Sequence, residues 1–444
     1  MGAARAHAPT VAGLLVAAML AAAIGWVAPG RPAIALACAV AVLLLGVAAL
    51  QNALVPLLVL PLLYVVARAG YGATDLSVSD AALVIGTATA LVFARRPFSR
   101  EMRNLLWLTA VYQAATLFTV VFNPYVANLL DWVHSWVLVA GALLVGWAVG
   151  REGRGSTGLQ LMLAAAVVLA TWVIGVGLLQ VLRGDFQPVY LPHEMHKNFL
   201  GTILGTTALI AYIRPSWLEV GPRTAMVIFW WLVIGIGFTQ SRQAITALGV
   251  TLIVLVLRTR TDRRRSRAAL LAVVPAIAIV LTLVRDQLSS GNIHNSAFQR
   301  LEWFEDAIEI WQTQPLVGVG LRWWYTDRFP GGFQPPNAEI EVLTSAGIIG
   351  LIGFLVLMVG SIVVLWRMPP TYGMLAVLAV LSRFVQGQLD LFWVAAQTSV
   401  PFVIAGICLG ACAKHEDEEH LRHDAMSPSS VRPASAAPAE AGRA

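Results

Sequence analysis

The feature that most constrains this chain is a succession of apolar runs. Each is near the length that crosses a bilayer, and short polar or Pro/Gly breaks separate them. A helix needs about 20 predominantly apolar residues to span the hydrocarbon core. Such windows fall at 9–28, 32–49, 52–67, 79–94, 104–122, 132–150, 157–182, 197–213, 224–239, 241–257, 268–285, 338–366, 371–384 and 391–413. Every spanning backbone must satisfy its own hydrogen bonds, and no ten-residue alternating pattern is present, so helices are expected and not barrel strands. The expected fold is an all-α polytopic bundle of about 12–14 transmembrane helices. The short runs 52–67, 224–239 and 371–384 account for the lower count.

Composition agrees with this reading. Hydrophobic residues make up 58% of the 444 positions and charged residues only 12%, against about 25% charged in a soluble domain. The mean hydropathy is +0.73. These values exclude a cytosolic enzyme, a secreted disulfide scaffold and a disordered chain. The net charge of +6 reflects arginine in loops and gives no indication of nucleic-acid binding. Cys38, Cys408 and Cys412 lie inside or at the ends of apolar runs, without metal-site spacing to histidine, so no disulfide framework is implied. The run 9–28 follows Arg5 in the manner of a signal peptide, but its continuation into further apolar runs favours a retained first helix.

Arginine sets the expected orientation. Arg95, Arg96, Arg100 and Arg103 form one cluster, Arg151 and Arg154 a second, and Arg214 and Arg223 a third. Arg258, Arg260, Arg263, Arg264, Arg265 and Arg267 form the largest, and Arg367 stands alone. These loops alternate along the chain and are assigned to the cytoplasm, with both termini. The loops 68–78, 123–131, 183–196, 239–242, 286–337 and 385–390 then face outward. The membrane domain spans 1–413. The polar, then Ser/Pro/Ala-rich segment 414–444 is expected to be a disordered cytoplasmic tail. The loop 286–337 is the one large outward loop, and its FQRLEWFEDAIEIWQ stretch places Leu301, Phe304, Ile308 and Trp311 at helical spacing, as in a helix lying on the membrane surface. No internal repeat is evident.

Polar residues in or at the mouth of such a bundle are expensive and therefore functional candidates. Most fall on the expected outer side. His193 and His196 in HEMHKN lack further ligands for zinc; His196 and Asn198 read as interfacial anchors or substrate contacts. Arg242, in TQSRQ, sits at the outer mouth against the positive-inside bias. It either snorkels to headgroups or supplies a planar fork for a phosphate. Arg300 opens the amphipathic stretch. Arg322 and Arg328 flank Trp323, Trp324 and Tyr325, which suit either a sugar surface or the interfacial aromatic belt. Asn337 after Pro335 and Pro336 is placed to cap a helix. Glu339 and Glu341 then favour that helix's positive end, and either carboxylate also suits a general base.

Several of these stretches resemble a known superfamily. SRQAITALGVTLIVLVL is similar to its Ser-Arg helix start. QRLEWFEDAIEIWQTQPLVGVGLRWW is similar to its Arg, Trp and P-x-x-G-x-G loop pattern. PNAEIEVLTSAGIIGLIGFLVL is similar to its H-N-containing segment with a paired-glycine helix, HKNFLGTILG to its Asn-containing helix start, and LSVSDAALVIG to its early Asp-containing helix. The family is the O-antigen ligase and O-antigen polymerase superfamily, and the resemblance covers about 190–366. It implies a multi-span glycosyltransferase of the bacterial cytoplasmic membrane, using an undecaprenyl-diphosphate-linked glycan donor at the outer face. The acceptor would be a glycan or glycolipid, as in lipopolysaccharide or exopolysaccharide assembly. It further implies no metal or other cofactor, a lipid environment, no nucleic acid, and possible polysaccharide-assembly partners. Arg242 and Arg300 match the arginines that contact the donor diphosphate in the family.

One departure stands out. Ligases of this family typically carry a histidine just before the asparagine of the third segment, and here that position is Pro336. Proline has no ionisable group. Glu339 is the nearest substitute, followed by Glu341 and by His294 from IHNSAF. The remaining substrate-contact candidates are His196, Asn198, Arg322, Trp323 and Asn337. Two alternatives stay open: a lipid-linked-sugar flippase, and a non-catalytic family member that serves envelope assembly.

Overall fold

The computed structural model describes residues 51–258 and 296–426 apart from 52, 67, 70–75, 193–194, 327 and 330–331, with positions 42, 43, 46 and 47 besides. The expected spans 9–28 and 268–285, most of 32–49, and Cys38, His193 and His294 lie outside the described residues.

The described chain is an all-α polytopic bundle. Its helices are α1 (Leu54–Leu62), α2 (Val78–Phe93), α3 (Arg100–Phe122), α4 (Val126–Arg151), α5 (Gly155–Leu182) and α6 (Lys197–Ile213). They continue with α7 (Pro222–Thr239), α8 (Arg242–Arg258), α9 (Ser296–Gln312), α10 (Ala338–Trp366), α11 (Pro370–Gly387) and α12 (Ala395–Met426). A two-residue antiparallel ribbon, β1 (Arg68–Ala69) with β2 (Leu76–Ser77), precedes α2. Six of the described helices are long and apolar enough to cross a membrane, so this is a multi-pass membrane protein. Helices α6 and α10 occupy the windows read from hydropathy, because polar caps stand at their starts. The His196 Nδ1 accepts from the Asn198 N–H, and the Asn337 Oδ1 from the Ile340 N–H. Helix α2 starts with a full capping box between Ser77 and Asp80.

The segment read as a tail begins within a helix. Helix α12 continues through Lys414 to Met426. Its apolar stem supplies a nucleus, and the extension is held by i,i+4 pairs, Lys414 with Glu418 at 3.6 Å and His415 with Glu419 at 3.2 Å. Arg151 at the end of α4 also pairs with Asp417. Composition alone missed this because the segment need not nucleate its own helix. Residues 427–444 lie outside the described chain.

Two devices hold the bundle. Helices α4 and α12 meet backbone to backbone through Gly146 and Gly150 on one side and Gly406 and Gly410 on the other; a Cβ at any of them would strike the facing main chain. Small residues four apart permit this approach where no hydrophobic drive between helices exists. The second device is a break in α10 at Gly347, whose φ is 65° and ψ −168°. The break interrupts the helix ladder, and segment 315–320 docks into it. The N–H groups of Val319 and Gly320 donate to the carbonyls of Thr344 and Ser345, and those of Ile348 and Ile349 donate to Pro315 and Leu316. Backbone groups freed inside a membrane protein must find such partners.

The arginine-bearing turns converge at one end. Arg95 pairs with Glu152 at 2.7 Å, the Glu219 N–H donates to Ser156, and the Arg258 guanidinium donates to the Trp366 carbonyl. The opposite end carries the turns after α3, α5, α7 and α11 together with segment 313–337. The functional candidates gather there.

Candidate functional site

The polar residues at that end surround a cavity of about 470 Å³. Four carboxylates border it: Asp80 near the start of α2, Asp131 on α4, Glu341 on α10 and Asp390 in the turn after α11. Arg300, Arg322, His134 and His196 border it too, with the rings of Trp303, Trp324, Tyr325, Phe333 and Trp393.

One wall is a charge network. The Arg322 Nε donates to Asp131 Oδ1 at 2.7 Å. His134 Nε2 lies 2.9 Å from Asp80 Oδ1, and its Nδ1 lies 3.8 Å from Asp131 Oδ1. Asp80 Oδ2 also accepts from the Ser77 hydroxyl at 2.7 Å. A π-helical turn, Val137–Gly141, follows directly in α4. Arg322 is presented by a clamped backbone. The N–H of Leu321 donates to Asn128 Oδ1 at 2.9 Å, and its carbonyl accepts from the Tyr125 hydroxyl at 2.7 Å. Arg322 itself takes φ 54°, a left-handed conformation rare outside glycine.

Glu341 is 1% exposed. Its Oε1 accepts from the Gln334 amide at 2.8 Å and its Oε2 from the Phe392 N–H at 3.1 Å. Both partners are uncharged. Asp390 accepts from Gln243 Nε2 at 2.5 Å and from Asn198 Nδ2 at 3.3 Å. The turn that carries Asp390 and Phe392 is braced by Arg383, a buried guanidinium that donates to the carbonyls of Leu391 and Phe392.

Arg242, Arg300 and Lys197 carry further positive charge. Arg242 does not border the cavity, yet its charge, that of Arg300 and that of Lys197 act on one another. Of the three, Arg300 borders the cavity, and grouped positive charge attracts anions. His196 borders the cavity beside them, and burial, reinforced by Lys197, pushes its imidazole below the ordinary value against the pull of Asp390.

Of the sequence candidates, the cavity brings together His196, Asn198, Arg300, Arg322 and Glu341. It does not include Trp323, Asn337 or Glu339. The short 3-10 turn Trp323–Tyr325 points Trp323 inward, where it is fully buried against Phe329, and leaves Trp324 and Tyr325 on the cavity. Asn337 uses both ends of its amide, capping α10 and donating to the Gln388 carbonyl at 3.2 Å. The Glu339 carboxylate accepts from Gln388 Nε2 at 2.8 Å. Pro336 does line the cavity, so the side chain at this position faces the site without any titratable group.

The sequence reading missed Asp80, Asp131, His134, Gln243 and Asp390 as site residues. A signal existed for two of them: Asp131 and His134 are ionisable groups at the start of an apolar run, which is a functional flag in a membrane protein. Asp80 entered only within the stretch LSVSDAALVIG, and in the structure it is the third residue of the capping box that Ser77 opens.

Fold and site together define a multi-pass membrane protein with a polar, ring-lined cavity at one end of the bundle. Residues 227–355 match the family model described as O-antigen ligase. The match supports membership in the O-antigen ligase family, and hence a ligase- or polymerase-like role in membrane glycan processing. It runs from α7 into α10 and takes in Arg242, Arg300, Arg322, Pro336 and Glu341. No curated protein matches the chain.

Proposed function

We propose that this protein is a glycosyltransferase that polymerises or ligates surface polysaccharide from an undecaprenyl-diphosphate-linked donor at the outer face of the bacterial cytoplasmic membrane. The observation that carries this reading is that Arg300 and the buried carboxylate of Glu341 line one cavity, with the charges of Arg242 and Lys197 acting on Arg300. The convergence of the arginine-bearing turns at the far end favours the outward orientation of the cavity.

Arg242 and Arg300 hold the diphosphate, with Lys197 beside them. Guanidinium forks match phosphate oxygens in pairs. Glu341 accepts the proton of an acceptor hydroxyl. That oxygen bonds to the anomeric carbon of the donor sugar as the bond to the diphosphate breaks, and the lipid diphosphate leaves with the electron pair. The cations stabilise charge growing on this leaving group, as oriented donors do at an oxyanion. Glu341 takes the part of the family histidine replaced by Pro336. Glu339 is the weaker substitute, because it borders no part of the cavity.

The test is surface-glycan analysis of a deletion strain complemented with wild type and with Arg242→Ala. Loss of long glycan with accumulation of single lipid-linked repeats, restored only by wild type, marks a polymerase. Full-length chains held on the lipid carrier mark a ligase. No change in any strain that also lacks homologues contradicts the transferase reading.

A further inference from the structure

The Arg383 guanidinium, on α11, is fully buried and does not border the cavity. A cation inside a membrane protein is expensive, and it marks a function unless a paired acid accounts for it. The groups that Arg383 donates to are neutral. Its Nη2 donates to the carbonyls of Leu391, at 2.8 Å, and of Phe392, and its Nη1 to Gln397 Oε1 at 3.2 Å. The guanidinium also lies 4.7 Å from the centre of the Phe392 ring. Bracing alone does not call for a cation here, since the neutral amide of Asn337 braces the start of the same turn at the Gln388 carbonyl.

The turn that Arg383 grips serves the cavity three times. Asp390 and Trp393 line it, and the Phe392 N–H donates to Glu341 Oε2 at 3.1 Å. Holding the carbonyl and the ring of Phe392 fixes the residue whose N–H meets Glu341. The charge of Arg383 also acts on Asp390 and on Glu341. We propose that Arg383 is a positioning residue for the transfer: through the Leu391 and Phe392 carbonyls it aims the Phe392 N–H at Glu341 Oε2 and holds this carboxylate facing the cavity. The word transfer rests on the function proposed above. The relay from Arg383 through Phe392 to Glu341 rests on the geometry alone. With the turn loosened, Glu341 keeps only the Gln334 amide, and a misplacement of about 1 Å at a reacting group costs up to about 100-fold in rate.

The test uses the full chain in lipid nanodiscs and Arg383→Met, which replaces the cation and its donors by an apolar chain. Hydrogen exchange read by mass spectrometry needs no activity, and the peptide covering 388–394 exchanges faster in Arg383→Met than in wild type. Single-turnover transfer from a polyprenyl-diphosphate-linked glycan falls about 10–100-fold, while farnesyl diphosphate binding stays at the wild-type level. The same substitution made in Glu341→Gln protein brings no further loss of the residual rate, because the two residues act as one unit. A brace that serves folding alone lowers the rate equally in both backgrounds and weakens donor binding with it. Arg383→Lys keeps the charge without the fork; it shows the same pattern in smaller measure and takes the place of Arg383→Met if that variant does not fold. Unchanged exchange at 388–394, unchanged turnover, or an equal loss in both backgrounds overturns the proposal. Wild type that transfers nothing counts against the transferase reading, and the exchange arm then still decides whether Arg383 holds the turn, so the two failures are told apart.

Discussion

Arg322 reaches across 191 positions of sequence to donate from its Nε to Asp131 Oδ1 at 2.7 Å. The contact ties the segment ahead of α10 to the start of α4, at the wall of the cavity. Asp131 is largely buried, with its side chain 10% exposed against 21% for Arg322. Removing one member of such a pair leaves the other without compensation, at a cost of about 3–5 kcal/mol for full burial. The partial exposure of Arg322 places Arg322→Ala at about 2–3 kcal/mol. Thermal unfolding in detergent measures it, and the double substitution with Asp131→Asn recovers part of the loss. An unchanged transition in Arg322→Ala contradicts a structural role for the pair.

Gly347 breaks α10 in a backbone region that only glycine occupies readily, and a Cβ there would strike the main chain of Leu316. Gly347→Ala is therefore expected to displace segment 315–320 and, through Leu321, the side chain of Arg322. Limited proteolysis reads this as faster cleavage between 313 and 337. A cleavage rate equal to wild type would show that the docking does not depend on the break.

The bundle was legible in the sequence to a large degree, for a physical reason. Apolar run length is a direct consequence of bilayer thickness, and caps such as Asn337 mark helix starts locally. The windows at 197–213 and 338–366 coincide with α6 and α10. The Gly347 break was not legible, since its glycine sits in an apolar run like many others and its docking partner is some thirty positions away. The site was legible only in part. Arg300, Arg322 and Glu341 stand out as charges at the expected mouth. Whether Glu339 or Glu341 faces the cavity depends on helix phase, which the proline-rich entrance leaves open until α10 is placed. Asp131 and His134 carry a flag as ionisable groups at the start of an apolar run, but only the fold brings Arg322 and Asp80 to them. Trp323 and Trp324 are adjacent and chemically alike, and only the turn set by Arg322 decides which ring is buried.

The α4–α12 contact gives a third prediction. Gly406→Val adds a side chain where the main chain of α4 already lies, whereas a Cβ at Gly175 on α5 meets nothing within 4 Å. Overpacking of this kind costs about 1–3 kcal/mol. Gly406→Val is expected to lower the unfolding temperature clearly, and Gly175→Val to leave it within error. Equal behaviour of the two would contradict the close backbone approach.

In the proposed reaction the buried Glu341 takes the acceptor proton and Arg300, on the same cavity, helps hold the donor. The most direct measurement is single-turnover transfer by the purified protein in nanodiscs, from a polyprenyl-diphosphate-linked glycan, for wild type, Glu341→Gln and Glu339→Gln, with donor binding read separately. A positioned base contributes about 10²–10⁴-fold, so Glu341→Gln should lose turnover on that order while still binding donor, and Glu339→Gln should stay near wild type. Undiminished turnover in Glu341→Gln would contradict the account.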